Sequence, residues 1–213
     1  MEIPPDRQQN KIAFEFVKRR ASREGIKILD VGAADCILKE FFPKTSKYYS
    51  LDIKNYEGCK HDFLLDLDKE KIPVKDEFFD IILCLDTLEH TMYPKKVIKE
   101  FRRITKKDAL LVFALPNEYN FVQRIYYLLA IKKQTEIPWE VVEKHEHIQK
   151  PRIKDIINLF KPNFKIHKIK YHWESRASSN NKHFIIVDKM INLLVKISPN
   201  LFARDVVLLC SKK

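Results

Sequence analysis

Acidic and amide side chains follow five predicted strands, at the point where each strand ends. They are Asp30, Asp52, Asp66, Asp86 and Asn117. In an open α/β sheet, ligands bind beyond the carboxyl ends of the strands. Carboxylates are unusual in a core, but they suit a ligand that is rich in hydroxyl and amino groups. The sequence therefore predicts a polar small-molecule site at this edge.

The first two strand ends indicate what the ligand is. Gly32 follows Asp30 and Val31 in the first turn, where a backbone without Cβ approaches a ligand closely. Asp52 comes 20 residues later, where a carboxylate can accept two hydrogen bonds from a ribose diol. Asp66 is placed to accept from an adenine amino group. Together, these residues predict an adenosine site.

The elements that position these residues alternate between strand and helix patterns. Apolar runs predict strands at 27–31, 47–53, 61–67, 77–85, 108–116, 164–173 and 203–210. Apolar residues at helical spacing predict helices at 8–23, 37–42, 93–104, 121–133, 152–160 and 183–197. This order predicts an α/β fold with a Rossmann-like, mostly parallel sheet of seven strands and helices on both faces.

The stretch from 27 to 117 resembles the class I S-adenosylmethionine-dependent methyltransferases. The run DVGAADC at 30–36 resembles their glycine loop, LDI at 51–53 their ribose-binding strand end, and residues 66–90 and 102–117 their next two strand ends. The LEH at 88–90, followed by the PN at 116–117, is similar to the branch that acts mainly on small molecules, lipids and sugars. A dinucleotide site would need a G-x-G-x-x-G loop, of which only Gly32 is present.

The resemblance implies S-adenosyl-L-methionine as cofactor and an antiparallel last strand. The residues that it places at the cofactor are Asp30, Gly32, Ala33, Ala34, Asp52, Ile53, Asp66, Leu67, Leu85 and Asp86. Ala34 and Cys36 stand where the family usually has glycines. We expect the Cβ of Ala34 to crowd the cofactor's methionine part, and a positive φ there to be strained.

Three residues are predicted to act on the methyl acceptor. His90 follows the fourth strand and suits a general base, or else it orients the helix that begins beside Pro94. Asn117 positions the acceptor, or is a turn residue. His145, in the run His145–Glu146–His147, lines the acceptor pocket or lies on a surface loop. An H-x-H run without further spaced ligands does not indicate zinc, so no metal site is predicted.

Segments 118–150 and 174–204 are predicted to form a lid or acceptor site on a single domain, 1–213, whose cofactor core is 24–117. In the helix at 183–197, one side is apolar, and lysines recur every seven residues. It lies on an anionic membrane, closes over a lipophilic acceptor, or packs on the core. The apolar residues of this helix are Phe184, Ile186, Val187, Met190, Ile191, Leu194 and Ile197. The lysines are Lys182, Lys189 and Lys196. In the segment 118–150, the residues predicted to form a lid opposite this helix are Tyr126, Tyr127, Leu128, Leu129 and Trp139.

The resemblance leaves three functions open: methylation of a small-molecule, lipid or glycan acceptor, methylation of RNA, and a non-catalytic binding subunit. The net charge is +11, and residues 151–213 hold 13 basic and 4 acidic residues, a balance of +9. That basic third could bind nucleic acid, although no RNA-binding module is recognisable.

Neither a signal peptide nor a membrane span is predicted. The cysteines Cys36, Cys59, Cys84 and Cys210 are expected to be unpaired thiols in a reducing cytoplasm.

Overall fold

A computed structural model describes residues 7–130, 141, 146–175 and 182–213, with side chains of the last segment described from 185. Its strands are β1 (Lys27–Val31), β2 (Lys47–Asp52), β3 (Phe63–Leu64), β4 (Phe79–Leu85), β5 (Thr105–Pro116), β6 (Phe164–His172) and β7 (Asp205–Lys212). Its helices are α1 (Gln8–Ala21), α2 (Pro94–Ile104), α3 (Phe121–Leu128), α4 (Ile153–Phe160), α5 (Lys182–Ile197) and α6 (Pro199–Phe202). Short 3₁₀ helices span Ile37–Phe41 and Leu88–His90.

The seven strands form one sheet in the order β3-β2-β1-β4-β5-β7-β6. Pairs from β3 to β5 are parallel, and β7 is antiparallel to both of its neighbours. This confirms the predicted Rossmann-like α/β fold with an antiparallel last strand. The strand order reverses beside β1, so the carboxyl ends of β1 and β4 border the crevice where such sheets bind ligands.

The sheet is buried on both faces because alternate residues of each central strand pack on opposite sides. Leu29 and Ile82 belong to the apolar cluster under α2 and α4. Ile28 and Ile81 belong to the cluster under α1. The predicted apolar stripe of α2 is confirmed, with all of its four members buried: Val97, Ile98, Phe101 and Ile104.

Several predicted elements differ in extent from the structure, and in three of them a local cause is visible. The predicted helix at 37–42 is a 3₁₀ helix that ends at Phe41, because Pro43 forces Phe42 into an extended conformation. The predicted strand at 61–67 keeps only Phe63–Leu64, because Asp66 Oδ1 accepts from the Asp68 amide and turns the chain. Strand β5 begins at Thr105, since the segment 106–109 holds no glycine to form a turn.

The cysteine prediction is wrong for two of the four residues. Cys36 and Cys59 are joined by a disulfide, although 23 residues separate them in the chain. The turn after β1 and the loop after β2 meet at the carboxyl edge of the sheet, which brings the two side chains together. Cys84 and Cys210 are free and buried, as expected.

Among the described helices, none has both the length and the apolar composition to cross a membrane.

Candidate functional site

The loop after β1 is held against the end of β2 by its own amides. The Leu51 carbonyl accepts from Gly32 N at 2.8 Å and from Ala33 N at 3.2 Å. Gly32 has a φ of +69°, and a Cβ there would collide with the side chain of Thr87. A glycine is therefore required at this position, and the loop lies where β1 and β4 separate.

Ala34 keeps the backbone shape of a glycine in spite of its Cβ. Its φ is 45°, a left-handed conformation that costs an alanine roughly 1–2 kcal/mol. Its amide donates to Asp52 Oδ2 at 3.0 Å, a charge-assisted bond that offsets this strain. Ala34 therefore adopts the positive φ that we expect to be strained for a residue with a Cβ.

Asp52 is the buried carboxylate that organises this edge. Its Oδ1 accepts from Ile53 N at 2.7 Å, while Oδ2 accepts from Ala34 N. A carboxylate offers about four acceptor positions, so two remain for a ligand diol. Ile53 beside it is exposed, which gives the site an apolar wall.

Asp66 and Leu67 lie at the next strand end along the edge. The Asp66 carboxylate pairs with Lys69 Nζ at 3.0 Å and accepts from Asp68 N at 2.9 Å. Leu67 is half-buried and packs against the core. The predicted adenine-binding segment is thus a fixed turn.

Asp30 lies beneath the loop and is hydrogen-bonded by the Tyr48 hydroxyl. Burial raises its pKa to about 7, and the nearby Asp52 and Asp35 carboxylates add to the shift. The structure therefore gives Asp30 a protein partner under the cofactor loop.

The raised pKa of Asp30 makes stability depend on pH. Between pH 3.8, the ordinary pKa of this carboxyl, and about pH 7, the folded state holds a proton here that the unfolded state has lost. The free energy of unfolding is therefore undiminished by this carboxyl below about pH 4, and it decreases as the pH rises to 7. We expect wild type to lose up to about 4 kcal/mol relative to Asp30→Asn over this range. Urea unfolding at several pH values measures it. Asp108→Asn, at an exposed carboxyl, should track wild type; parallel curves for wild type and Asp30→Asn would contradict the assignment.

Asp86, directly after Leu85 at the end of β4, carries an unsatisfied acceptor. Its Oδ2 accepts from Gln9 Nε2 and from Arg7 Nη1, the latter at 3.1 Å. Its Oδ1 is buried and has no hydrogen-bond partner in the described part of the chain. Burial raises the Asp86 pKa, and the Arg7 charge opposes that shift. A cationic ligand group at Oδ1 would satisfy this acceptor.

His90 lies against a second histidine at the same edge. The rings of His90 and His147 have centroids 4.8 Å apart in an edge-to-face arrangement. His147 Nδ1 is 2.7 Å from Oε1 of the buried Glu118. Glu89 is also buried, its Oε2 has no hydrogen-bond partner among the described residues, and burial raises its pKa well above the ordinary value. Each of Glu89, His90 and His147 has one potential ligand atom within 4.8 Å of the others.

Of the other two predicted catalytic residues, the structure describes Asn117. The Asn117 side chain donates to the carbonyls of Ala203 and Asn200 and accepts from Tyr119 N. Its amide therefore holds the turn before β7. His145 lies outside the described residues, and so does Trp139 of the predicted lid.

Several residues at this edge were not chosen from sequence. They are Glu89, Glu118, His147, His172 and Asp205. Strand β7 is antiparallel, so its first residue, Asp205, pairs with Pro116 at the carboxyl end of β5. Burial raises the Asp205 pKa to about 7 and lowers that of His172 to about 4. The LEH motif contains Glu89, but nothing local indicates that Glu118 holds His147.

Comparisons with known proteins agree with this architecture. A family model described as a methyltransferase domain matches residues 6–167. The ubiquinone biosynthesis O-methyltransferase of Hahella chejuensis is 27% identical over 128 residues, which cover 54% of each chain. That of Vibrio atlanticus is 22% identical over 167 residues, covering 70% of this chain and 68% of the relative. The chain spans about half the length of most curated relatives that it matches.

Solved structures share the fold at low sequence identity. An S-adenosylmethionine-dependent methyltransferase from Mesorhizobium loti superimposes with a TM-score of 0.59 at 11% identity, covering 96% of this chain and 100% of that one. A second, from Archaeoglobus fulgidus, gives 0.55 at 14% identity, covering 96% and 95%.

Proposed function

Because the chain belongs to the methyltransferase-domain family, we propose that it transfers a methyl group from S-adenosylmethionine to a hydroxyl oxygen of a lipophilic small molecule. The observation that carries the proposal is the carboxyl edge itself, which joins an organised acidic loop at Asp52 to a carboxylate-held histidine pair. Tritiated S-adenosylmethionine with a catechol that bears a dodecyl chain tests it, since label should pass into the organic phase.

The cofactor is proposed to lie across β1, β2 and β4. Asp52 accepts from the ribose hydroxyls, and Asp66 faces the adenine amino group. The unsatisfied Oδ1 of Asp86 accepts from the methionine ammonium. The remaining predicted contacts form the walls, with Gly32, Ala33 and Ala34 on the loop and Ile53, Leu67 and Leu85 on the apolar side. Asp30 supports the loop from beneath.

The histidine pair is proposed to remove the acceptor proton. Methyl transfer breaks the sulfur–methyl bond and forms an oxygen–methyl bond, and the leaving thioether is neutral. The enzyme therefore supplies orientation and a base for the hydroxyl proton. The Glu118 carboxylate bound to Nδ1 of His147 fixes the tautomer whose Nε2 accepts a proton. His90 packs edge-on against that ring and keeps it in place.

The donor set of Glu89, His90 and His147 also fits a divalent cation. A bound cation there would lower the pKa of an acceptor hydroxyl. A chelator added to the tritium assay distinguishes the two modes: turnover that survives extensive chelation assigns proton removal to the His147–Glu118 pair.

Helices α3 and α5 provide an apolar surface near the same edge. The Phe121 ring of α3 packs at a tilt against Trp173, which follows β6, and Trp173 Nε1 donates to Asp188 of α5. Val195 of α5 packs on the core, but most of the other described apolar side chains of this helix are exposed. The exposed ones on both helices are Ile125, Tyr127, Leu128, Leu129, Ile185, Ile186, Val187, Met190, Leu193, Leu194 and Ile197. Exposed apolar patches mark interaction surfaces or ligand-binding grooves, and we propose that this one contacts a lipophilic acceptor or a membrane. The Phe184 and Lys182 side chains lie outside the described residues.

This surface predicts a preference for long-chain acceptors. We expect kcat/KM to be at least roughly 10-fold higher for a dodecyl catechol than for unsubstituted catechol, since each buried methylene contributes about 0.8 kcal/mol. Met190→Glu with Leu193→Glu should remove that preference and lower flotation with anionic vesicles. Lys213→Glu, at the exposed chain end beyond β7, is the matched control. Equal kcat/KM for both catechols in wild type would contradict a lipophilic acceptor.

Two other functions are distinguishable by experiment. An RNA methyltransferase would label RNA in the tritium assay, with binding that weakens steeply as salt rises. A non-catalytic subunit would bind neither cofactor nor acceptor. The similar proteins are ubiquinone biosynthesis O-methyltransferases, which favours a small-molecule acceptor for this chain. We further propose that the protein acts in the cytoplasm. Residues 1–213 are proposed to form one domain, in which segments 118–150 and 174–204 lie at the acceptor.

A further inference from the structure

Two cysteines and a histidine form a buried cluster beside the cofactor loop, and the proposed methyl transfer does not use them. Cys36, Cys59 and His61 are each less than a tenth exposed. His61 Nδ1 lies 3.8 Å from Cys36 Sγ and 3.7 Å from Cys59 Sγ. The single nitrogen is thus nearly equidistant from both sulfurs.

These separations match those between ligands on one tetrahedral zinc ion. Zn–S bonds of about 2.3 Å and Zn–N bonds of about 2.0 Å place sulfur and nitrogen about 3.6 Å apart. We propose that, once the Cys36–Cys59 bond is reduced, Cys36, Cys59 and His61 bind a thiophilic divalent cation such as Zn²⁺, with water as the fourth ligand. This site is independent of the proposed methyl transfer.

The backbone holds the three ligands in place before any ion binds. Cys36 N donates to the Ala33 carbonyl at 2.7 Å. Tyr56 and Cys59 form a two-way bridge through their backbones, and His61 N donates to Asn55 Oδ1 at 3.1 Å. Ligands fixed in this way lose little freedom on binding, which favours a real site over an accidental contact.

The backbone conformation at Cys36 supports a ligand role. Its φ is 57°, in the left-handed region that favours glycine. Non-glycine residues kept in that region cluster at functional sites, where the side chain is needed. A cysteine at this position has more backbone strain than a glycine would have, and it places a sulfur beside Cys59 and His61.

The ring of Tyr56 borders the cluster. It lies edge-on to His61, with centroids 6.1 Å apart. Tyr56 is also the backbone partner of Cys59, so it helps to hold the loop that carries Cys59 and His61.

The disulfide and the metal-bound state exclude each other. A dithiol reductant supplies two electrons and two protons, the S–S bond breaks, and two thiols form while the reductant closes its own disulfide. Cation binding then releases both thiol protons and leaves two thiolate ligands. Oxidation would expel the ion.

Cobalt titration of the full chain tests this proposal. Metal-free protein kept reduced with a phosphine and titrated with Co²⁺ should bind one ion with thiolate-to-cobalt charge-transfer absorption, which Zn²⁺ abolishes. The oxidised chain should show no such band. The set Glu89, His90 and His147 contains no sulfur, so cobalt bound there gives no charge-transfer band.

Variants separate the ligands from the fold. Cys59→Ser and His61→Ala should each weaken cobalt binding by more than about 100-fold, beyond the loss that outer-shell changes cause. Cys84→Ser, at a buried free thiol, is the matched control and should bind as wild type. Circular dichroism checks that each variant folds. The proposal is wrong if reduced wild type lacks the thiolate band, or if folded Cys59→Ser retains it at full intensity.

Discussion

Asp52→Ala is expected to lower the affinity for S-adenosylmethionine by at least roughly 100-fold. The substitution removes the two proposed ribose hydrogen bonds, and hydrogen bonds to a charged group contribute about 1.5–3 kcal/mol each. It also removes the acceptor of the Ala34 and Ile53 amides, so the loop loses the contacts that hold its shape. Calorimetry with S-adenosylmethionine measures the change.

Two controls separate lost binding from lost folding in this experiment. Asp108→Ala removes an exposed carboxylate at the start of β5, at the opposite edge, and should leave the dissociation constant unchanged. Asp52→Asn keeps one oxygen acceptor and should fall between wild type and Asp52→Ala. A folded Asp52→Ala that binds the cofactor as tightly as wild type would place the ribose elsewhere.

His147→Ala is expected to lower kcat for the dodecyl catechol by about 10²–10⁴, the usual contribution of a general base. The dissociation constant for S-adenosylmethionine should stay within about twofold, because the proposed cofactor contacts come from β1, β2 and β4. Glu118→Gln should lower kcat by a smaller factor, since the imidazole remains but its tautomer is no longer fixed. Rapid-quench measurement of tritium transfer gives kcat.

The matched control for His147→Ala is His167→Ala. His167 is an exposed residue of β6 whose Nε2 contacts Ser211 Oγ at 2.7 Å. Its substitution should leave kcat and cofactor affinity unchanged. If His147→Ala turns over at the wild-type rate while His90→Ala does not, His90 is the base and His147 its support.

Apolar runs and helical spacing within single segments predicted the strands and helices that form from neighbouring residues. Strand β1 matches its predicted range, and α2 buries the four apolar residues that its helical spacing indicated. The acids at the strand ends were identifiable because the carboxyl ends of parallel strands lie at one edge, where the sheet order β3-β2-β1-β4-β5 places them side by side. Asp52 was assigned to the ribose on that basis alone.

The rest of the site depends on contacts between distant segments. Glu118 and His147 are 29 residues apart, and no spacing rule brings them together. Asn117 was predicted to position the acceptor or to be a turn residue, and its side-chain amide donates to carbonyls more than 80 residues away. Cys36 and Cys59 meet only because two loops converge beside β1 and β2. Such pairings follow from the assembled sheet, not from any window of sequence.

The structure shows how the loop after β1 forms with Gly32 as the only glycine of the run 30–36. Ala34 adopts the left-handed conformation, and the Asp52 carboxylate accepts its amide. Gly32 is retained at the position where a Cβ would strike Thr87. The loop is therefore held in a fixed conformation by contacts within the chain, with the Cβ of Ala34 in place.

A crystal structure of the full chain with S-adenosylhomocysteine tests the central claim most directly. The account predicts ribose hydroxyls on the Asp52 carboxylate, the amino group on Asp86 Oδ1, and the sulfur facing the His90–His147 pair. Density for the nucleoside at another edge of the sheet, or a sulfur turned away from both histidines, would contradict it.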